Sequence, residues 1–278
     1  MKVLPKGLLY QKFFINKEER KLIIDWLETL VPLWEMRYSK HHPPPEGDEQ
    51  RPLLRPVYWL GNWQFACLGY YHPPEGIHNR SVHSTPYSPL LDKIVKRIEF
   101  LVKRAIPSSD IPKGWKLNTC LVNFYGDKFV DQKWEDRARV GEHKDFEPGP
   151  VASLSLGDRA FFQFVSGKPK VDGNKVFWEG WLEDSSLQIF AGKRFKEQYF
   201  HRVQRVDRKS RENFSFQIED FKTRRINFTF RFVPPEHIVN LHELPADDLE
   251  DVLPLALELA KSDPFFKEQY QKSRQNNT

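Results

Sequence analysis

The chain is poor in sulfur. Its 278 residues include two cysteines and two methionines. Cys67 and Cys120 are too few for a disulfide framework or a cysteine metal cluster. Both sit in largely apolar stretches, as core cysteines do. This usage fits a reducing intracellular compartment, nucleus or cytoplasm. Long apolar runs are also missing. No stretch is long enough to span a bilayer and no basic-then-apolar leader opens the chain, so no membrane role is expected. Internal repeats are absent, which removes solenoids and propellers.

What is present is a 39% hydrophobic content, enough for one substantial core or one core with an appendage. Charge is unevenly placed. Residues 234–278 hold 4 basic and 9 acidic side chains, a net of −5, so with +5 overall the first 233 residues carry +10. Residues 191–225 alone hold 11 basic and 5 acidic side chains. A basic body with an acidic tail suggests a polyanionic partner. The plainer alternative is a solvated face and an ordinary tail.

Local signals set the organisation. Asn16 caps a helix and Glu19 completes a capping box, with Phe14 or Ile15 as a hydrophobic staple. Leu22, Ile23, Trp26, Leu27 and Leu30 give it an apolar stripe, and Pro32 ends it. Tyr38–Pro56 is a proline-rich loop or lid, and Tyr71–Pro89 is a second loop. Their histidines, His41, His42, His72, His78 and His83, follow no metal-ligand spacing. Pro89 opens a basic amphipathic helix to Ala105. Leu244–Lys261 and Pro264–Ser273 read as two helices, which either pack on the core or cover its basic surface.

The segment Arg225–Phe232 (RINFTFRF) alternates strictly. Arg225, Asn227, Thr229 and Arg231 fall on one side, and Ile226, Phe228, Phe230 and Phe232 on the other, as in a strand with two different faces. A solvated edge strand is one reading of the arginine face. If that face points inward, its charges need anionic partners. Two guanidinium forks aimed into one cavity suit a small dicarboxylate. Leu117–Tyr125 reads as another strand. It places Asn123 and Tyr125 with Leu121 on one face, where an amide and a phenol can hydrogen-bond the same dicarboxylate.

Upstream, His143 and Asp145 stand at i and i+2, on one side of an extended segment. Taken alone the spacing is weak. His201 in a second strand-like run completes two histidines and a carboxylate, the facial set that suits non-heme iron(II) and leaves positions open.

In this order, NFY, GEHKD, PVASLSLGDRAFFQF, YFHRV and RINFTFR resemble the catalytic core of the AlkB family of iron(II)/2-oxoglutarate dioxygenases. The resemblance runs from about Pro52 to Val233. It implies an α+β fold, with a double-stranded β-helix (jelly roll) core, supporting N-terminal helices and a C-terminal helical extension. The expected division is residues 1–51 as helix and proline-rich lid or linker, 52–233 as the dioxygenase domain and 234–278 as the acidic helical extension. By position, the resemblance gives iron to His143, Asp145 and His201. It gives the distal carboxylate of 2-oxoglutarate to Arg225 and Tyr125, and the carboxylate beside the keto group to Arg231 and Asn123, with Asn227 in support. Glu147 falls where family members keep an acid facing the substrate base. Phe146, Tyr58, Trp59 and Tyr70 are candidate aromatic contacts to that base.

The implied activity is oxidative demethylation of N-alkylated nucleobases in DNA or RNA by a monomer. The alternatives are the same chemistry on a protein side chain, and an inactive nucleic-acid-binding module. Departures from the family pattern are Phe146 in place of a polar residue, a charged insertion at Asp127–Arg139, a long stretch between His201 and Arg225, and the tail after Val233.

Overall fold

The computed structural model describes residues 4–275, except 31, 33, 35–42, 45, 48, 50–51, 62–85, 146, 168–174, 208–213, 217, 238–240 and 262–263. Two antiparallel sheets make up the body. The larger has the order β1 (Leu8–Gln11), β9 (Ser186–Phe190), β6 (Val151–Gly157), β11 (Phe221–Arg231), β3 (Thr119–Val130) and β2 (Val57–Gly61), with β4 (Lys133–Asp136) also paired to β3. The smaller has the order β5 (Val140–His143), β10 (Phe200–Val206), β7 (Ala160–Val165) and β8 (Val176–Leu182). From β5 onward the chain passes back and forth between the sheets, and this gives the expected jelly roll.

Period-two alternation sorts the large sheet into two surfaces. Cys120, Val122 and Phe124 on β3 face the same way as their partners Phe230, Phe228 and Ile226 on β11. With Ala152, Leu154 and Leu156 of β6 they form an apolar layer, buried against the helices α1 (Lys17–Leu27) and α2 (Pro89–Ala105). The opposite, odd-numbered surface is polar and turns toward the small sheet. It carries Asn123, Tyr125, Ser153, Ser155, Arg225, Asn227 and Arg231, all buried.

β1 and α1 belong to this body. β1 is hydrogen-bonded to β9, and α1 joins the same apolar layer as α2. The capping box forms: Asn16 Oδ1 accepts from the Glu19 backbone N–H at 2.8 Å, and Glu19 Oε2 accepts from that of Asn16 at 3.0 Å. The apolar stripe is narrower than its spacing implied. Ile23 and Leu27 are buried, whereas Leu22 is 49% exposed. α2 begins at Pro89 behind the cap Ser88, as expected. Cys120 is a buried core thiol, and Cys67 lies outside the described residues, as do the five loop histidines. The tail forms α3 (Ala246–Ala260) and α4 (Pro264–Gln275), which share a small cluster of Leu241, Leu244, Leu249 and Ala256.

The insertion at 127–139 is a β-hairpin. β3 continues past Tyr125 to Val130 and turns through Asp131 and Gln132, with φ of 48° and 63°, into β4. Two successive positive φ values are the mark of a type I′ turn, whose twist matches that of paired strands. Beside the register shift in β11, where β3 still pairs with it, a Cβ on Gly126 would sit 1.8 Å from the Lys222 carbonyl oxygen. Backbone cannot swing aside as a side chain can. Gly126→Ala should therefore destabilise the protein by about 2 kcal/mol, lowering the thermal midpoint by roughly 5 °C. An unchanged melting curve would show that the crossing is looser than this geometry.

Candidate active site

Strand pairing assembles the metal-binding triad. His201 of β10 lies directly opposite His143 of β5, with ring centroids 4.1 Å apart. Asp145 follows two residues after His143, and its Oδ2 lies 3.4 Å from His201 Nε2. One ligand atom from each of the three lies within 4.8 Å of the others. The His143 Nδ1 is 2.9 Å from the Gly141 carbonyl, which leaves Nε2 as the ligand nitrogen. Phe162 stacks on His201 at 5.6 Å and fixes its plane. Asp145 and His201 are buried and His143 is exposed, so the site opens on the His143 side.

The charges suit a cation. Burial, then the neighbouring His143, pushes His201 well below the ordinary histidine value, so it is a neutral imidazole ready to ligate. Burial works to raise the Asp145 pKa, but the Arg231 charge beside it outweighs burial and holds the carboxylate ionised.

The arginine face of β11 points inward, which excludes the solvated edge strand. Arg225 is 1% exposed. Its Nη2 donates to Ser155 Oγ at 3.0 Å, and the guanidinium lies 4.9 Å from the Tyr125 ring centre. Burial lowers its pKa, with Tyr125 opposing. Its Nε and Nη1 are buried with no hydrogen-bond partner among the described residues. Buried donors are nearly always satisfied, so this cation is built to meet an anion. Arg231 reaches the metal site instead. It donates to Asp145 Oδ1 from Nε at 3.0 Å and Nη2 at 2.7 Å, and its Nε is 3.2 Å from Glu147 Oε1. Asn227 donates to Ser153 Oγ at 2.7 Å and to the Leu154 carbonyl at 3.1 Å, and so braces the strand that presents Ser155 to Arg225. Asn123 is buried on the same surface, opposite Asn227.

A model of the 2OG-Fe(II) oxygenase superfamily matches residues 7–231. The chain belongs to that superfamily. The oxygenase therefore uses iron(II), 2-oxoglutarate and O2. Among solved structures it is similar to one described as OsALKBH1, with 23% identity and a TM-score of 0.48 over 83% of this chain and 100% of that one. It is also similar to YcfD, a ribosomal oxygenase from Escherichia coli in complex with cobalt and succinic acid. There the identity is 11% and the TM-score 0.28 over 95% of this chain and 66% of that one. No curated protein matches it significantly.

The residues present fit both groups. His143, Asp145 and His201 would hold the metal, and the unused donors of Arg225, beside the Tyr125 phenol, would take one carboxylate of 2-oxoglutarate. When bound, iron supplies the oxidising chemistry with 2-oxoglutarate and O2.

The substrate candidates separate. Trp59 pairs with Leu121 and shares the polar, site-facing surface of the large sheet. Tyr58 lies on the opposite surface, packed against the helix-covered core, and is turned away from the site. Alternation separates the two side chains, and only the register with β3 decides which of them faces the site. Glu147 is buried against Arg231. Phe146 and Tyr70 lie outside the described residues.

Two cations at the site carried no sequence signal that singled them out. Arg55 lies 4.8 Å over the Tyr125 ring, on the side chain that also meets Arg225. Lys196 lies in a π-type turn, Arg194–Gln198, just before β10. Its Nζ is buried 5.9 Å from the Phe190 ring centre, and burial lowers its pKa against the pull of Asp145 and Glu147. Its place five residues before His201 was the available clue, but the run KRFKEQ looks like solvated charge.

Proposed function

We propose that this oxygenase oxidatively demethylates N-alkylated nucleobases in DNA or RNA. The observation that carries the proposal is the basic rim beside the metal site. Lys193 and Arg194 are exposed at the start of the π-type turn. Lys144, between two of the triad residues, donates to the Glu197 carbonyl in that turn and so ties the rim to the site. Phosphates laid on such a rim would bring a strand past the open His143 side. The AlkB-like motifs GEHKD and RINFTFR point the same way. The target base would leave its stack to reach the iron.

The balance is that of an oxygenase. One oxygen atom enters the succinate formed from 2-oxoglutarate with loss of carbon dioxide. The other enters the methyl C–H bond, and the resulting N-hydroxymethyl group leaves as formaldehyde. The chain's part is to place the methyl group and to hold the co-substrate; the oxidising power belongs to the metal centre.

The test is formaldehyde release from a panel of methylated oligonucleotides and histone peptides. Release from peptides alone would overturn the proposal in favour of a protein side chain. Oligonucleotide binding should also weaken steeply with salt, through counterion release. Neutralising Lys193 and Arg194 should reduce the log–log slope by about 0.7 for each single-strand phosphate that a cation no longer neutralises. Arg202, although basic, is not expected to contribute. It is held by Glu142 at 2.5 Å and by the Gln163 side-chain oxygen at 2.9 Å. No binding at low ionic strength would count against a nucleic-acid substrate.

A further inference from the structure

The β3–β4 arm carries two aromatic side chains that the metal and co-substrate sites do not use. Phe129 and Trp134 are cross-strand partners, with ring centroids 5.2 Å apart and planes tilted by 50°. They are 39% and 42% exposed, which is unusual for rings of this size. Their placement follows from parity. Asn123, Tyr125, Asp127 and Phe129 alternate onto one face of β3, and Trp134 shares that face by pairing with Phe129. The surface that holds the co-substrate cluster thus continues out along the arm. Four residues of extended chain separate Tyr125 from Phe129, roughly 13 Å. The other end of the arm leads within a few residues into β5 and His143.

The arm's charges leave these rings in cationic company. Asp127 lies 3.0 Å from Arg224, and Asp136 lies 3.3 Å from it. Glu135 lies 2.6 Å from Arg137. Lys222 Nζ sits 4.1 Å from the Trp134 ring centre, and Lys128 Nζ sits 4.4 Å from that of Trp34 on the arm's other face. Asp131 stands beyond the rings, in the tip turn.

We propose that Phe129 and Trp134 form a stacking platform for unpaired bases of a single-stranded nucleic acid, flanking the nucleotide that enters the iron site. This deepens the demethylase function proposed above and depends on it. Aromatic rings bind bases of any sequence through their π-faces. The 50° tilt offers a separate ring face to each of two bases rather than one closed slot. Lys222 covers one face of Trp134, so a base takes the other, and the ammonium is placed for the adjoining phosphate. A peptide partner would have little need of this combination of open rings and neutralised carboxylates.

The test uses the full-length protein and a fluorescein-labelled oligothymidylate, read by fluorescence anisotropy across a salt series. Trp134→Ala should weaken binding by about tenfold. The log–log salt slope should not change, because the substitution removes no cation. Trp134→Phe should recover most of the affinity. Binding to a duplex, whose bases are stacked on one another, should change little. If wild-type protein binds the single strand and Trp134→Ala binds it equally well, the platform is wrong and the demethylase proposal survives. If wild type binds no oligonucleotide, both fall. Should Trp134→Ala lose its cooperative melting transition, Trp134→Thr, a residue suited to strands, is read in its place with the same two outcomes.

Discussion

An Asp145→Ala enzyme should consume 2-oxoglutarate at least about a hundredfold more slowly than wild type. Altering mere supporting contacts of a metal ligand already costs 10- to 100-fold, and this change removes a ligand. Asp145 brings the one carboxylate to a triad whose other two members are histidines. Arg231, donating to it at 2.7 and 3.0 Å, keeps its charge present and aimed. Asp145→Asn preserves the shape and can still accept from Arg231, but it lacks the charge and should fail almost as badly. Iron(II) affinity, measured anaerobically, should fall in both variants. The fold should survive, because Glu147 remains 3.2 Å from Arg231 as an alternative counter-ion. Near-normal oxygen-dependent turnover by the alanine enzyme would remove His143, Asp145 and His201 as the metal set.

How much of this was legible in the sequence depended on what each inference needed. Alternation sorted Arg225–Phe232 into two faces, because burial of Phe228 and Phe230 fixes which residues share the other side, but whether that side was solvated or enclosed needed the second sheet. The His143–His201 pairing needed two strands to meet, and the motif order supplied it. Tyr58 shows the limit. It and Trp59 were both plausible contacts to a base, and the pairing of β2 with β3 sends them to opposite sides. The hairpin arm was hidden for a different reason. Its turn is built on Asp131 and Gln132, without the glycine that usually announces a type I′ hairpin. Its alternating charges therefore read as a loop. Lys196 was hidden by the π-type turn, which shifts the phase of the helix and carries a lysine inward where ordinary spacing would expose it. Arg231 was legible as a site residue, yet its hold on Asp145 was not, since nothing in the spacing says which anion a buried arginine meets.

Replacing Arg225 by lysine should raise the KM for 2-oxoglutarate by roughly 1.5 to 3.5 orders of magnitude, with a much smaller change in kcat. The co-substrate carboxylate that this residue would hold lies away from the oxidised bond, so its grip acts equally on ground and transition states, and losses of that kind appear in KM. The size follows from geometry. Arg225 is wholly buried, with Nη2 committed to Ser155 and two further nitrogens available to an anion. Lysine would put one ammonium where a planar fork stood and could not serve Ser155 and a carboxylate with the same directionality. It would also sit where burial already lowers even the arginine's pKa, and an amine titrates far more readily than a guanidinium, so part of the population would be uncharged. Truncating one partner of a buried charge-assisted pair costs about 2–5 kcal/mol, which spans that range of KM. The measurement is succinate formation against 2-oxoglutarate concentration at saturating iron, with a direct co-substrate titration of the metal-loaded protein under anaerobic conditions. A lysine variant with an unaltered KM would mean that the buried guanidinium serves the fold, and that the co-substrate is held by other cations near Tyr125, with Arg55, 4.8 Å from its ring, the first to be tested.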